Sequence, residues 1–230
     1  AVPIPGSPFD IVSIPGETPG GLTLDALTVD AAPGLGGTTA SPSTAAGALH
    51  LLAGDGGISQ LGALNVNTPD LRVVTSGDVT LNREDNRIQG IWGNVGGNLH
   101  VTNFGPLRMG YDSPVGFAIG PLEAGGNLRL ESVAGSTTLV GPCDEDSCIW
   151  STHGITAGGN IEFRADALED SGPITSGSLD SNHIRWAPWT ADLDLPVTIV
   201  DASNFFTPHL QIGDPSLVNT FGSVFINTDV

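Results

Sequence analysis

The sequence predicts an all-β chain wound as a parallel β-helix, with an irregular Pro/Gly-rich amino-terminal segment and an irregular carboxy-terminal cap. Three observations carry this. A Gly-Gly-Asn phrase followed by alternating residues occurs three times, glycine and proline together exceed a fifth of the 230 residues, and no stretch shows sustained helical periodicity. Dense turn-formers break helices and favour many short strands.

The three full copies are Gly96-Gly97-Asn98-Leu99-His100-Val101, Gly125-Gly126-Asn127-Leu128-Arg129-Leu130 and Gly158-Gly159-Asn160-Ile161-Glu162-Phe163. In each, apolar residues bracket a polar or charged one, the period-two pattern of a strand with one buried face. Weaker relatives begin at Gly47, Gly77 and Gly222. The glycines Gly97, Gly126 and Gly159 fit a corner that needs positive φ or close backbone approach. Asn98, Asn127 and Asn160 fall at the same corner. They read either as a ladder in which each amide bonds the next, or as residues that tolerate a left-handed turn.

A second phrase, at Gly57-Ile58, Gly154-Ile155 and Pro173-Ile174, reads as strand, glycine corner, strand; the third copy puts its new strand at Ser178-Leu179. Val79-Thr80-Leu81 followed by Asn86-Arg87-Ile88 gives another strand–turn–strand unit. Ser43 to Leu52 is the one candidate helix, and even there the repeat favours a strand from Ala48. Repeats of about 20 to 33 residues built this way describe stacked coils. Residues 47–184 form the repeat body, 1–46 the amino-terminal segment with its first strands at Leu22-Thr23-Leu24 and Leu27-Thr28-Val29, and 185–230 the last coils and cap. A β-sandwich would also show short strands, but without recurring corner chemistry.

Charge narrows the function. The net charge is −18, and all seven basic residues are arginines, with no lysine. So acidic a surface repels phosphate backbones and anionic lipid, which argues against nucleic-acid and membrane-surface partners. The missing lysine removes the Walker A site, the pyridoxal Schiff base and the kinase catalytic pair. No apolar run approaches the roughly 20 residues of a membrane span. The chain starts without Met, which reads as a processed product or a piece of something longer.

Several clusters invite chemistry. Cys143 and Cys148 are close enough for a small disulfide loop worth roughly 2 kcal/mol, or are two free thiols. Between them, Asp144-Glu145-Asp146 offers oxygen ligands for Ca²⁺, or a solvated loop tip. Trp186 and Trp189 lie near Asp192 and Asp194, a grouping able to bind a sugar ring or hydrolyse a glycosidic bond. The alternative there is a covering segment whose indoles pack over the end of the core. The five histidines are scattered without metal spacing, and His100 falls on the outward side of its strand. No cofactor is expected.

The phrases "GALHLLAGDGGISQLGALNV", "GDVTLNREDNRIQG", "GGNLHVTNFGPLRMG" and "AGGNLRLES" resemble the repeat region of filamentous haemagglutinin-like exoproteins, the secreted partners of two-partner secretion systems in Gram-negative bacteria. Related autotransporter passengers are similar. The resemblance runs from Gly47 to Ala165, about half the chain. It implies a right-handed β-helix, export to the cell surface, and a role in adhesion or surface fibres. The function expected is therefore a non-enzymatic extracellular structural or adhesive protein that self-associates and meets a host-surface or glycan receptor. The rival is a polysaccharide lyase or hydrolase, or a glycan-binding tip, built on Trp186, Trp189, Asp192 and Asp194. Coil ends present unpaired strand edges, and with no lysine to guard them they must be covered or used. End-to-end stacking uses them.

Overall fold

A computed structural model describes residues 9–13, 22–25, 29–30, 48–61, 66–109, 120–133, 148–151, 153–170, 172–187, 189, 193–199, 205–212 and 221–226. Among these residues the chain is all-β, with 22 strands and no helix. Strands are numbered along the chain.

The second sheet in chain order is the simpler one. It stacks β2 (Leu22–Asp25), β5 (Ile58–Leu61), β7 (Val79–Leu81), β9 (Leu99–Phe104), β12 (Leu128–Val133), β15 (Ile161–Arg164), β18 (His183–Ala187) and β21 (His209–Ile212). The first sheet stacks β1 (Phe9–Ser13), β4 (Ala48–Leu52), β6 (Val66–Thr75), β8 (Arg87–Val95), β11 (Leu122–Ala124), β14 (Ile155–Ala157), β17 (Ile174–Thr175) and β20 (Phe205–Phe206). It forks at the long strand β8. Gly90 and Ile91 pair with β10 (Leu107–Met109), whereas Gly93 to Val95 pair with β11. The side branch continues through β13 (Cys148–Ser151) to β16 (Ala167–Asp170). β3 (Val29–Asp30) joins the early half of β6. Every one of these pairings is parallel.

The chain therefore visits three strand columns in turn. β10, β11 and β12 are followed by β13, β14 and β15, then by β16, β17 and β18, each paired with its predecessor in the previous set. Strands β19 (Leu193–Ile199) and β22 (Phe221–Ile226) stand apart as a parallel pair of their own.

Register explains the core. In the second sheet Ile58, Val79, Leu99, Leu128, Ile161 and Ile184 align one above another. Two residues on, Leu81, Val101, Leu130, Phe163 and Trp186 form a parallel column. All are buried. Alternation puts every second side chain inward, so each rung adds apolar surface to the same continuous core, at about 1.5–3 kcal/mol per fully buried aliphatic side chain.

The sequence places the glycine phrases on one track, and the structure separates them. Gly47 precedes β4 in the first sheet, whereas Gly77 and the Gly-Gly-Asn copies precede strands of the second; Gly222 lies inside β22 of the separate pair. Likewise Ile58 belongs to the second sheet, but Ile155 and Ile174 to the first. Inward–outward alternation is the same on every face, so pattern alone does not say which column a strand joins. The third copy of the second phrase also differs. Ser178 and Leu179 form a bend with Leu179 exposed, and the next strand begins at His183. The strand predicted from Ala48 is present as β4. The expected boundaries at 46/47 and 184/185 do not interrupt either sheet: β1 and β2 pair with β4 and β5, and β18 spans the second boundary.

Between aligned strands of the second sheet the step along the chain is 21 residues from Ile58 to Val79, 20 from Val79 to Leu99, 29 from Leu99 to Leu128, 33 from Leu128 to Ile161 and 23 from Ile161 to Ile184. Register is thus kept although the rung has no fixed length.

Replacing Leu128, which is fully buried, by alanine should cost about 2–5 kcal/mol through lost burial and a residual cavity. The same change at exposed Leu179 should stay within about 0.5 kcal/mol. Urea unfolding of the two variants measures the contrast.

Candidate functional site

The Gly-Gly-Asn corner builds the first feature. Leu99, Leu128 and Ile161 are in register, so Asn98, Asn127 and Asn160 stack. The backbone N–H of Asn127 donates to Oδ1 of Asn98 at 2.9 Å, and that of Asn160 to Oδ1 of Asn127 at 2.9 Å. Other residues extend the run at both ends. Asn98 N–H donates to Asp78 Oδ1 at 2.6 Å, and His183 N–H to Asn160 Oδ1 at 3.1 Å. The ladder is thus side-chain oxygen to backbone N–H, rather than amide to amide.

The adjoining glycine exists to let that oxygen in. A Cβ on Gly126 would lie 2.5 Å from Asn98 Oδ1, and one on Gly97 or Gly159 would overlap Asp78 Oδ1 or Asn127 Oδ1. None of the three has positive φ; among the described residues that conformation belongs to Gly57, Gly93, Gly105 and Gly154. Close approach is the reason for glycine here.

A second kind of corner lies outside the sequence expectations. Asn86, wholly buried, donates through Nδ2 to the carbonyls of Leu81 and Thr102 and accepts at Oδ1 from Gln60 Nε2 at 2.6 Å. Asn103 donates to the carbonyls of Gly105 and Pro106 and accepts from Ile88 N–H at 2.6 Å. These amides satisfy backbone groups that turn away from the strand ladders inside the molecule. Their local sequence carries no sign of this role.

The outward face of the second sheet carries the charge. One column reads His100, Arg129, Glu162, Arg185, Gln211, and the next reads Thr102, Glu131, Arg164. Glu131 sits at its centre. Its Oε2 accepts from His100 Nε2 at 3.0 Å and from the Thr102 hydroxyl at 2.7 Å, and its Oε1 accepts from Arg129 Nη2 at 2.7 Å. Arg164 Nη1 stands 3.9 Å away. Burial alone would raise the Glu131 pKa, but the hydrogen bonds from His100, Arg129 and Thr102 and the charge of Arg129 outweigh it, lowering the pKa from 4.5 to about 2. Glu162 lies between Arg129, Arg185 and His183 at 3.8, 3.7 and 3.8 Å. An acid held ionised this firmly is a poor proton donor near neutrality.

The tryptophan cluster divides. Trp186 is a core residue, 3% exposed, and its indole N–H donates to the Ala165 carbonyl at 2.9 Å. Its ring belongs to the stacked interior and offers no face to a sugar, which corrects its proposed binding role. Trp189 is half-buried, with the Arg164 guanidinium 4.4 Å from its ring centre, a cation–π contact. Asp192 lies outside the described residues, and Asp194 lies in β19 with its side chain undescribed. The candidate Ca²⁺ loop Asp144, Glu145 and Asp146 and the partner cysteine Cys143 are also outside the described residues; Cys148 opens β13. Among the described residues no group of acidic, histidine and cysteine side chains is arranged to hold a metal, and no helix is long and apolar enough to cross a membrane.

No family model, curated protein or solved structure matches the chain.

Replacing Glu131 by glutamine leaves Arg129 and His100 without their carboxylate and should destabilise the protein by about 2 kcal/mol at neutral pH. The folded pKa is depressed, so this stability is fully present above pH 4.5 and is lost as pH falls towards 2. Urea midpoints of wild type and Glu131→Gln should therefore converge across that interval.

Proposed function

We propose that the chain is part of an exported right-handed parallel β-helix, of the filamentous haemagglutinin-like kind, with a structural or adhesive role at the cell surface. The observation that carries this reading is the repeated passage through three parallel strand columns with residues held in register. Such a body gains length by adding rungs, and its outward columns repeat the same positions along that length. Secretion and a Gram-negative source rest on the sequence resemblance alone.

Assembly follows from the edges. Among the described residues β20 and β21 close the two sheets at one end and β1 and β2 at the other, each paired on one side only. Phe206 is 55% exposed at the first of these ends, and Leu210 and Ile212 are only half-buried, although their counterparts Ile184 and Trp186 are fully inside. A head-to-tail contact between copies would pair both edges and propagate as a filament.

Negative-stain electron microscopy and light scattering over a concentration series test this. Linear particles that lengthen with concentration are expected. A monodisperse monomer at high concentration would remove self-assembly from the reading.

A further inference from the structure

The asparagine ladder has a surplus. Its bonding needs only an oxygen at each corner, since Asp78 fills the first position with a carboxylate and accepts the Asn98 N–H as the amides accept theirs. A carboxamide also brings an NH2 group. Asn98 uses its own on Asp78 Oδ1 at 3.2 Å. The Nδ2 groups of Asn127 and Asn160 have no protein partner among the described residues. Because Oδ1 is pinned to the next rung and the carboxamide is planar, the ladder also fixes where these donors sit. These two donors therefore sit one rung apart, at the strand spacing of about 4.8 Å.

Beside the ladder runs a shallow groove of about 300 Å³, lined by Asn98, His100, Asn127, Arg129, Asn160 and Glu162. It offers the amide donors of Asn127 and Asn160 beside the Arg129–Glu162 ion pair, whose carboxylate is the acceptor on this wall. Avoidance of stacked carboxylates accounts for amides rather than aspartates, but it does not account for a groove beside them with donors on one wall. A ligand for this groove must repeat along its length, as the donors do, and must both accept and donate hydrogen bonds. Hydroxyl-rich sugar rings joined in an extended chain meet both conditions. The net charge of −18 disfavours a polyanionic version by long-range repulsion.

We propose that the groove along Asn127, Arg129 and Asn160 binds a linear, uncharged polysaccharide laid across successive rungs. The site deepens the adhesive side of the functional reading, and it stands without fibre assembly: a chain that binds the oligosaccharide yet remains monomeric keeps the site and loses the fibre.

The test uses Asn127→Asp, which retains the ladder oxygen, as Asp78 does naturally, and removes the outward N–H donors while its neighbours stay neutral. The probes are cello-oligosaccharides and chito-oligosaccharides, with oligogalacturonate as the charged comparison, and the readout is calorimetric affinity. Arg83→Gln, at a turn away from the groove, serves as the control. Binding of a neutral probe is expected, weakened about five- to tenfold by Asn127→Asp and unchanged by Arg83→Gln, with matching melting curves for all three proteins. Absence of neutral-probe binding, tighter binding of oligogalacturonate, or equal affinity in a folded Asn127→Asp protein would overturn it. Should Asn127→Asp fail to fold, Asn160→Asp reads the same donor row one rung on, under the same criteria.

Discussion

Register between successive rungs is the constraint from which the rest follows. Parallel strands about 4.8 Å apart leave each residue directly above its counterpart, so a side chain is chosen for its column as much as for its place in the sequence. At the Gly-Gly-Asn corner the backbones come so close that a methyl group on Gly126 would strike the Asn98 side chain. The glycine permits the approach, and the asparagine oxygen converts it into a hydrogen bond from one rung to the next. A slip by one residue would break that ladder and turn the whole aliphatic column to solvent.

The same logic governs charge. Stacked like charges would repel at strand spacing, and the outward column alternates instead, with Arg129, Glu162 and Arg185 in succession. In a chain with seven arginines and twenty-five acidic residues, cations are scarce. Three of them serve this one face, where they hold Glu131 and Glu162. Burial of Glu131 is tolerable because its two oxygens meet three hydrogen-bond donors, which offset the lost hydration.

Much of this is legible in the amino-acid sequence. Alternation at Leu99, Leu128 and Ile161 identifies buried strands, and the recurring asparagine marks a shared corner. What stays hidden is non-local. Glu131 has one close partner, Arg129, two residues away, but His100 and Thr102 lie about one rung back, and nothing local marks them as neighbours. For Trp186 the sequence leaves open a sugar-binding face or an indole packed over the core, and its column partner Phe163 places it inside. Nothing in the alternation singles out Asn86 or Asn103, since satisfaction of buried carbonyls leaves no periodic trace. The step between aligned strands varies from 20 to 33 residues along the second sheet, so no fixed period marks the rung.

The central claim is parallel rung-on-rung stacking, and solution NMR tests it most directly. Nuclear Overhauser contacts should link the methyl groups of Leu99 to Leu128 and of Leu128 to Ile161, partners 29 and 33 residues apart. Contacts that instead join consecutive strands, such as β9 with β10, in antiparallel hairpins would contradict the account.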